Sequence, residues 1–178
     1  MLTIRISYRA VSFILATALI AGTLLGLGRG VSRAQSEQGI LPGGCVVSTG
    51  EQARLDANRE TVLAYYDLSF NQGEPEKACE LYQGEHYIQH NPHAADGAEA
   101  FIAFVNWFRG EHPELHMEFV RTIAEGDLVL THSHQTLFPG DRGTAVMDIF
   151  RLEDGKIVEH WDVVQPVPEE AANDNTMF

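Results

Sequence analysis

Four segments of alternating apolar and polar residues, at 115–124, 128–138, 144–153 and 156–165, constrain this chain more than any other feature. Gly126, Pro139-Gly140 and Asp154-Gly155 fall between them, and each gap is too short for anything but a tight reversal. Side chains of a strand alternate between its two faces, and parallel neighbours need a crossover of a dozen or more residues. The last third of the chain is therefore predicted to be an antiparallel meander with one face turned to a core.

Helical spacing precedes the meander. Leu55, Val62, Tyr66 and Phe70 recur on one face of a segment running from 51 to 71, which Gly73 ends. Pro75, tolerated in a first helical turn, opens a second helix that reaches Tyr82 and stops at Gly84. Residues 87–92 read as a short strand or extended piece. Asp96 is placed to cap a third helix, with Glu99 at the capping-box spacing and Phe101, Phe104, Val105 and Phe108 as its apolar stripe. Helices followed by a meander define the α+β class.

The N-terminus has its own logic. Residues 1–9 carry two arginines and no acid, and Ala10 to Gly28 is uncharged, followed by the small residues of Ser32-Arg33-Ala34. This is the pattern of an export signal cleaved after Ala34; an uncleaved membrane anchor at 10–28 is the competing reading. Residues 35–50 are glycine-rich, polar and aperiodic, a linker, and 51–178 form one domain. Losing the four arginines of 1–34 leaves 8 basic residues against 25 acidic ones, a net charge of −17. Such a surface repels phosphate, which argues against nucleic acid as a partner and against membrane contact beyond the possible anchor. In an exported, periplasmic or secreted protein Cys45 and Cys79 can pair, although Cys79 also fits as a small apolar residue on a helix.

Turn positions give a provisional register for the meander. A two-residue turn at Asp154-Gly155 pairs Asp148 with Trp161 and Phe150 with Glu159, and a loop centred on Asp141 sets His134 opposite Asp148 and His132 opposite Phe150. One face then gathers His132, His134, Asp148, Phe150 and Trp161, while Met147, Ile149, His160, Asp162 and Val164 share the other, open to solvent or a second subunit. Deprived of water, Asp148 becomes a stronger base beside an imidazole that can share its proton; the same pair also reads as a hydrogen bond holding two strands together. His132, His134 and His90 have metal-ligand chemistry, but no spacing fixes a further ligand, and no metal is expected. A serine elbow and a phosphate-binding glycine loop are both absent from the sequence.

Tyr87-Ile88-Gln89-His90-Asn91-Pro92, Asp148-Ile149-Phe150-Arg151 and the run from Asp154 to Asp162 together resemble the SnoaL-like group of the nuclear transport factor two-like superfamily. The resemblance implies a cone-shaped, curved antiparallel or mixed sheet wrapped by about three N-terminal helices, usually as a homodimer. It also implies a pocket for a hydrophobic small molecule. Cyclases of the group close polyketide rings by an aldol step without metal or other cofactor, using a strand carboxylate and a nearby histidine. Carried over, the resemblance makes Asp148 and His134 catalytic, with His90, His132, Tyr87, Trp107, Phe150 and Trp161 shaping the pocket. The function it implies is an exported lyase, cyclase or isomerase acting next to a carbonyl; the alternative is a binding domain with the same pocket and no chemistry. The tail ending at Phe178 either folds over the pocket mouth or frays.

Overall fold

The computed structural model describes residues 39–40 and 46–178. The proposed signal segment and Cys45 lie outside them, and no described helix is long and apolar enough to cross a membrane. Within the stretch read as a linker, β1 (Gly39–Ile40) pairs antiparallel with β2 (Val46–Val47). Helix α1 (Thr49–Tyr66) then begins at Ser48, whose side chain accepts the Glu51 N–H at 3.1 Å and so caps the first turn.

After Tyr66 the helix widens into a π-helical turn, Asp67–Asn71, closed by the Gln72 N–H on the Asp67 carbonyl oxygen at 2.9 Å. The extra residue turns three successive side chains, Leu68, Ser69 and Phe70, into the interior, which regular α-helical spacing would not do. Helix α2 (Pro75–Tyr82) runs directly into β3 (Gln83–Gln89), a longer strand than the extended piece expected at 87–92. Helix α3 (Ala98–Glu111) starts differently from the expected capping box. Gly97, at φ 90°, holds the cap position, and the Asp96 carboxylate instead accepts the Gln89 N–H at 2.7 Å, fastening the end of β3.

The remaining strands are β4 (His116–Glu125), β5 (Leu128–Thr136), β6 (Thr144–Glu153) and β7 (Lys156–Pro166). Their order is β3-β7-β6-β5-β4, with β3 parallel to β7 and every other pair antiparallel. The result is the expected α+β architecture: an open mixed sheet with three helices against one face. Val62, Tyr65, Phe101, Val105, Phe150 and Ile157 fill the space between the layers.

Two details overturn the provisional register. Asp154 and Gly155 both take positive φ, the requirement of a tight two-residue hairpin turn, and Glu153 pairs with Lys156 as expected. A bulge follows at once: Leu152 pairs with Ile157 but Arg151 with Glu159, so Asp148 faces Asp162, and Phe150 faces His160. Between β5 and β6 the loop is longer than expected. The Asp141 carboxylate accepts the N–H groups of Leu137 at 2.9 Å and Gly143 at 3.0 Å, and pairing starts at Gln135 with Thr144. Asp148 therefore faces Thr131, and His134 faces Ala145. The two displacements are of one and three residues, and an odd displacement exchanges the faces of a strand. Thr131, Gln135, His160, Asp162 and Val164 come to the inner face with Asp148; His132, His134 and Trp161 go to the outer face with Met147 and Ile149.

The tail does not cover the pocket mouth. Phe178 stacks on His134 at 4.1 Å and His132 at 5.6 Å, on the outer face. Cys79 is buried in α2 with no disulfide partner among the described residues, and burial pushes its thiol pKa up to about 11.

Gly143 fixes the β5–β6 register: at φ 78° a Cβ there would collide with the Gln135 carbonyl oxygen and the His134 ring. Gly140 also has positive φ, 87°, but open space around it. Replacing Gly143 with alanine is expected to lower unfolding stability by about 2–3 kcal/mol in urea titration, against about 1 kcal/mol for Gly140→Ala. Equal losses would show that the loop does not depend on that close approach.

Candidate functional site

A cavity of about 550 Å³ lies between the helices and the inner face of the sheet. Tyr66 and Phe70 from the end of α1 and its π-helical turn, with Phe101, Phe104, Trp107 and Phe108 of α3, form an aromatic wall. The opposite wall is polar: Gln135, Asp148, His160 and Asp162, with Val146 and Val164 between them. The β3–α3 connection contributes Asn91, His93, Ala94 and Ala95.

Asp148, only 1% exposed, sits in this wall at the middle of β6. Its Oδ1 accepts the Tyr66 hydroxyl at 3.1 Å and lies 3.1 Å from His160 Nε2; its Oδ2 accepts the Thr131 hydroxyl at 3.0 Å. Tyr66 Oη and His160 Nε2 are 2.9 Å apart, closing a triangle. Tyr66 has one proton to give, so its hydroxyl satisfies one edge of the triangle at a time. Burial, followed by the Asp148 charge, pushes the Tyr66 phenol well above the ordinary tyrosine range, so it remains a donor. Tyr87 is pushed up in the same way, by burial first and then by Asp148.

Backbone amides orient the surrounding side chains. The Asn91 N–H donates to Gln89 Oε1 at 2.9 Å, which identifies that atom as the oxygen, since a backbone N–H can only donate. His160 Nδ1, 2.9 Å from the same oxygen, must then carry a proton, leaving Nε2 to face Tyr66 and Asp148. The Gln89 amide nitrogen donates to the Tyr87 hydroxyl at 3.2 Å. In turn, the His93 N–H donates to Asn91 Oδ1 at 2.8 Å, and the Asn91 amide nitrogen donates to Asp162 Oδ2 at 2.7 Å. Asp148, His160 and Asp162 each bring a possible metal-ligand atom within 4.8 Å of the others, and Asp148 Oδ1 and His160 Nε2 are both engaged with the Tyr66 hydroxyl.

The residues singled out from sequence separate into three groups. Asp148 lines the cavity, and Trp107, 60% exposed, stands at its rim. Phe150 and Tyr87 lie beneath it in the core, where Phe150 packs edge-on against Tyr66 at 4.8 Å. His134, His132, His90 and Trp161 do not reach it. His134 faces outward and approaches the Arg142 carbonyl oxygen at 2.9 Å. His132 lies beside Arg121, and burial together with that positive charge lowers its pKa. His90 stacks flat on Trp161 at 4.6 Å and pairs with Glu159 at 2.8 Å. The structure thus replaces the expected Asp148–His134 pair with Asp148–His160.

Tyr66, Gln89 and Asn91 carried no site assignment from the sequence, and His160 and Asp162, expected on the face open to solvent or a second subunit, line the cavity instead. One signal did exist for His160. Ile157 and Val158 are adjacent apolar residues at the start of an alternating segment, and both are buried, the mark of a bulge that brings His160 round to the inner face.

Residues 62–160, more than half of the chain, match the SnoaL-like domain, and the chain belongs to that family. TsrD from Streptomyces laurentii shares the fold with a TM-score of 0.52 and 21% identity, over 61% of this chain and 88% of its own. A candidate polyketide cyclase from Bacillus cereus ATCC 10987 superposes with a TM-score of 0.56 and 22% identity, over 66% and 78% of the two chains. For a candidate ketosteroid isomerase from Kribbella flavida DSM 17836 the values are 0.54 and 18%, over 67% and 85%. Identities this low show a common fold. No curated protein matches in sequence.

Proposed function

We propose that this protein is an enzyme that moves protons next to a carbonyl group, an aldol-type cyclase or lyase or an isomerase, with Asp148 as the base. The observation that carries this reading is a carboxylate 1% exposed yet lining a ligand-sized cavity, with a tyrosine hydroxyl and an imidazole on the same oxygen. Asp148 takes the proton from the carbon beside the carbonyl, and the electron pair moves onto the carbonyl oxygen. The Tyr66 hydroxyl supplies a donor to that oxygen, with His160 Nε2 behind it at 2.9 Å from Tyr66 Oη, and the enolate then attacks a second carbonyl, whose oxygen takes the proton back from Asp148, or is reprotonated by Asp148 at another carbon. Only proton transfers and a carbon–carbon bond are needed, so the cycle calls on no metal or redox cofactor. The aromatic wall suits a hydrophobic ligand, and the arginine-flanked apolar segment at the N-terminus supports action outside the cytoplasm.

The test is proton exchange, read by mass spectrometry on 1-tetralone and related apolar ketones in deuterium oxide. The wild type is expected to accelerate exchange at the carbon next to the carbonyl, and Asp148→Asn to lose roughly 10²- to 10⁴-fold of that rate while remaining folded. Equal exchange by both proteins removes the proposal. A non-catalytic binding domain is the alternative, favoured by the three side chains that already saturate Asp148. It predicts a copurifying molecule recovered unaltered.

A homodimer through the outer sheet face is part of the same proposal. Ile123, Leu130, Ile149 and Trp161 are cross-strand neighbours in one apolar row, flanked by Met147 and Val163, and Ile123 and Val163 are 60% and 70% exposed. Light scattering at micromolar concentration is expected to report a dimer for the wild type and a monomer for Ile149→Asp. A monomeric wild type contradicts it.

A further inference from the structure

We propose that the cavity selects an apolar small molecule bearing a protonated amine, with Asp162 as the residue that reads the positive charge. This rests on the reading of the cavity as a ligand site and adds the class of ligand it takes.

The charge pattern of the lining is one-sided. Asp148 and Asp162 contribute carboxylates, His93 and His160 are the other ionisable groups apart from Tyr66, and among the described residues neither lysine nor arginine lines the cavity. Arg109 of α3 is engaged elsewhere, on the Phe70 carbonyl oxygen. Asp148 is already engaged: His160 Nε2 lies 3.1 Å from its Oδ1, and the Tyr66 and Thr131 hydroxyls donate to its two oxygens.

Asp162 is different. Its Oδ2 accepts the neutral Asn91 amide at 2.7 Å, and among the described residues no cation pairs with it. The Asn91 amide cannot turn away, because its own oxygen is held by the His93 N–H. The carboxylate is thus held in place with Oδ1 left as an acceptor beside the cavity, and a partly buried charge without a counter-charge is stabilised by any cation that reaches it.

The opposite wall favours the same ligand. Aromatic faces attract an ammonium group through their ring quadrupole, most strongly where water is excluded, and Phe70, Phe104, Trp107 and Phe108 surround the space. A carboxylate or phosphate entering it meets like charge and no cationic side chain. A neutral alcohol gains a single hydrogen bond on Asp162. An alkyl ammonium gains that hydrogen bond with charge assistance, together with the aromatic contacts.

The test uses the full chain and three matched probes at pH 7: 2-aminotetralin, 2-tetralol and tetralin-2-carboxylate, titrated by calorimetry. The amine is expected to bind roughly tenfold or more tightly than the alcohol, with no detectable binding of the carboxylate. Asp162→Asn is expected to abolish the amine's advantage over the alcohol, and Asp162→Glu to keep that advantage. An amine no tighter than the alcohol, an advantage that survives Asp162→Asn, or the absence of any binding would overturn the proposal. The wild-type comparison decides the preference even where Asp162→Asn fails to fold. Equilibrium binding is independent of turnover, so loss of the proton-exchange reading leaves this result standing, and the reverse.

Discussion

A carboxylate in the middle of a sheet, shielded from water, costs several kcal/mol unless hydrogen-bond donors surround it. Asp148 is such a group, and its partners arrive from three elements: Tyr66 from the end of α1, Thr131 from β5 and His160 from β7. Each contact demands a particular alignment. Thr131 reaches Asp148 only in the register set by the Asp141 loop, and His160 only because a bulge follows the β6–β7 turn. The π-helical turn begins directly after Tyr66 and brings Phe70 inward beside it. Satisfying that one side chain thus requires the strand pairings, the helix position and the polar wall of the cavity together.

Periodicity carried the architecture because it is written by local burial. The alternating segments, Gly73, Gly84 and Asp154-Gly155 mark where elements stop, and the helices and the meander lie where those signals fall. Face assignment is more fragile. It depends on the parity of each pairing, so the Asp141 loop and the bulge sent His134 outward and brought His160 inward while leaving every strand recognisable. Asp148 stood out because an acid within an apolar alternation is conspicuous whichever neighbours it has. Tyr66 did not, since at helical spacing it is indistinguishable from a core residue. The parallel pairing of β3 with β7 joins distant segments and leaves no mark on either one.

The segment from Gln89 to His93 lines the cavity and also orients its ionisable groups. Two backbone N–H groups lock two side-chain amides, one aimed at His160 and the other at Asp162. His90, the ionisable residue of that motif, turns outward to Trp161 and Glu159. The neutral residues on either side of it therefore do the orienting, and their rigidity makes a single imidazole tautomer available to Asp148.

Long-range proton–nitrogen correlation spectra of the histidine rings measure that arrangement directly. In the wild type His160 Nδ1 should carry a proton at neutral pH, and Gln89→Leu should shift the ring toward the other tautomer or a mixture. A wild-type His160 protonated on Nε2 alone, or a tautomer indifferent to the loss of Gln89, would contradict the hydrogen-bonded cluster on which the site is built.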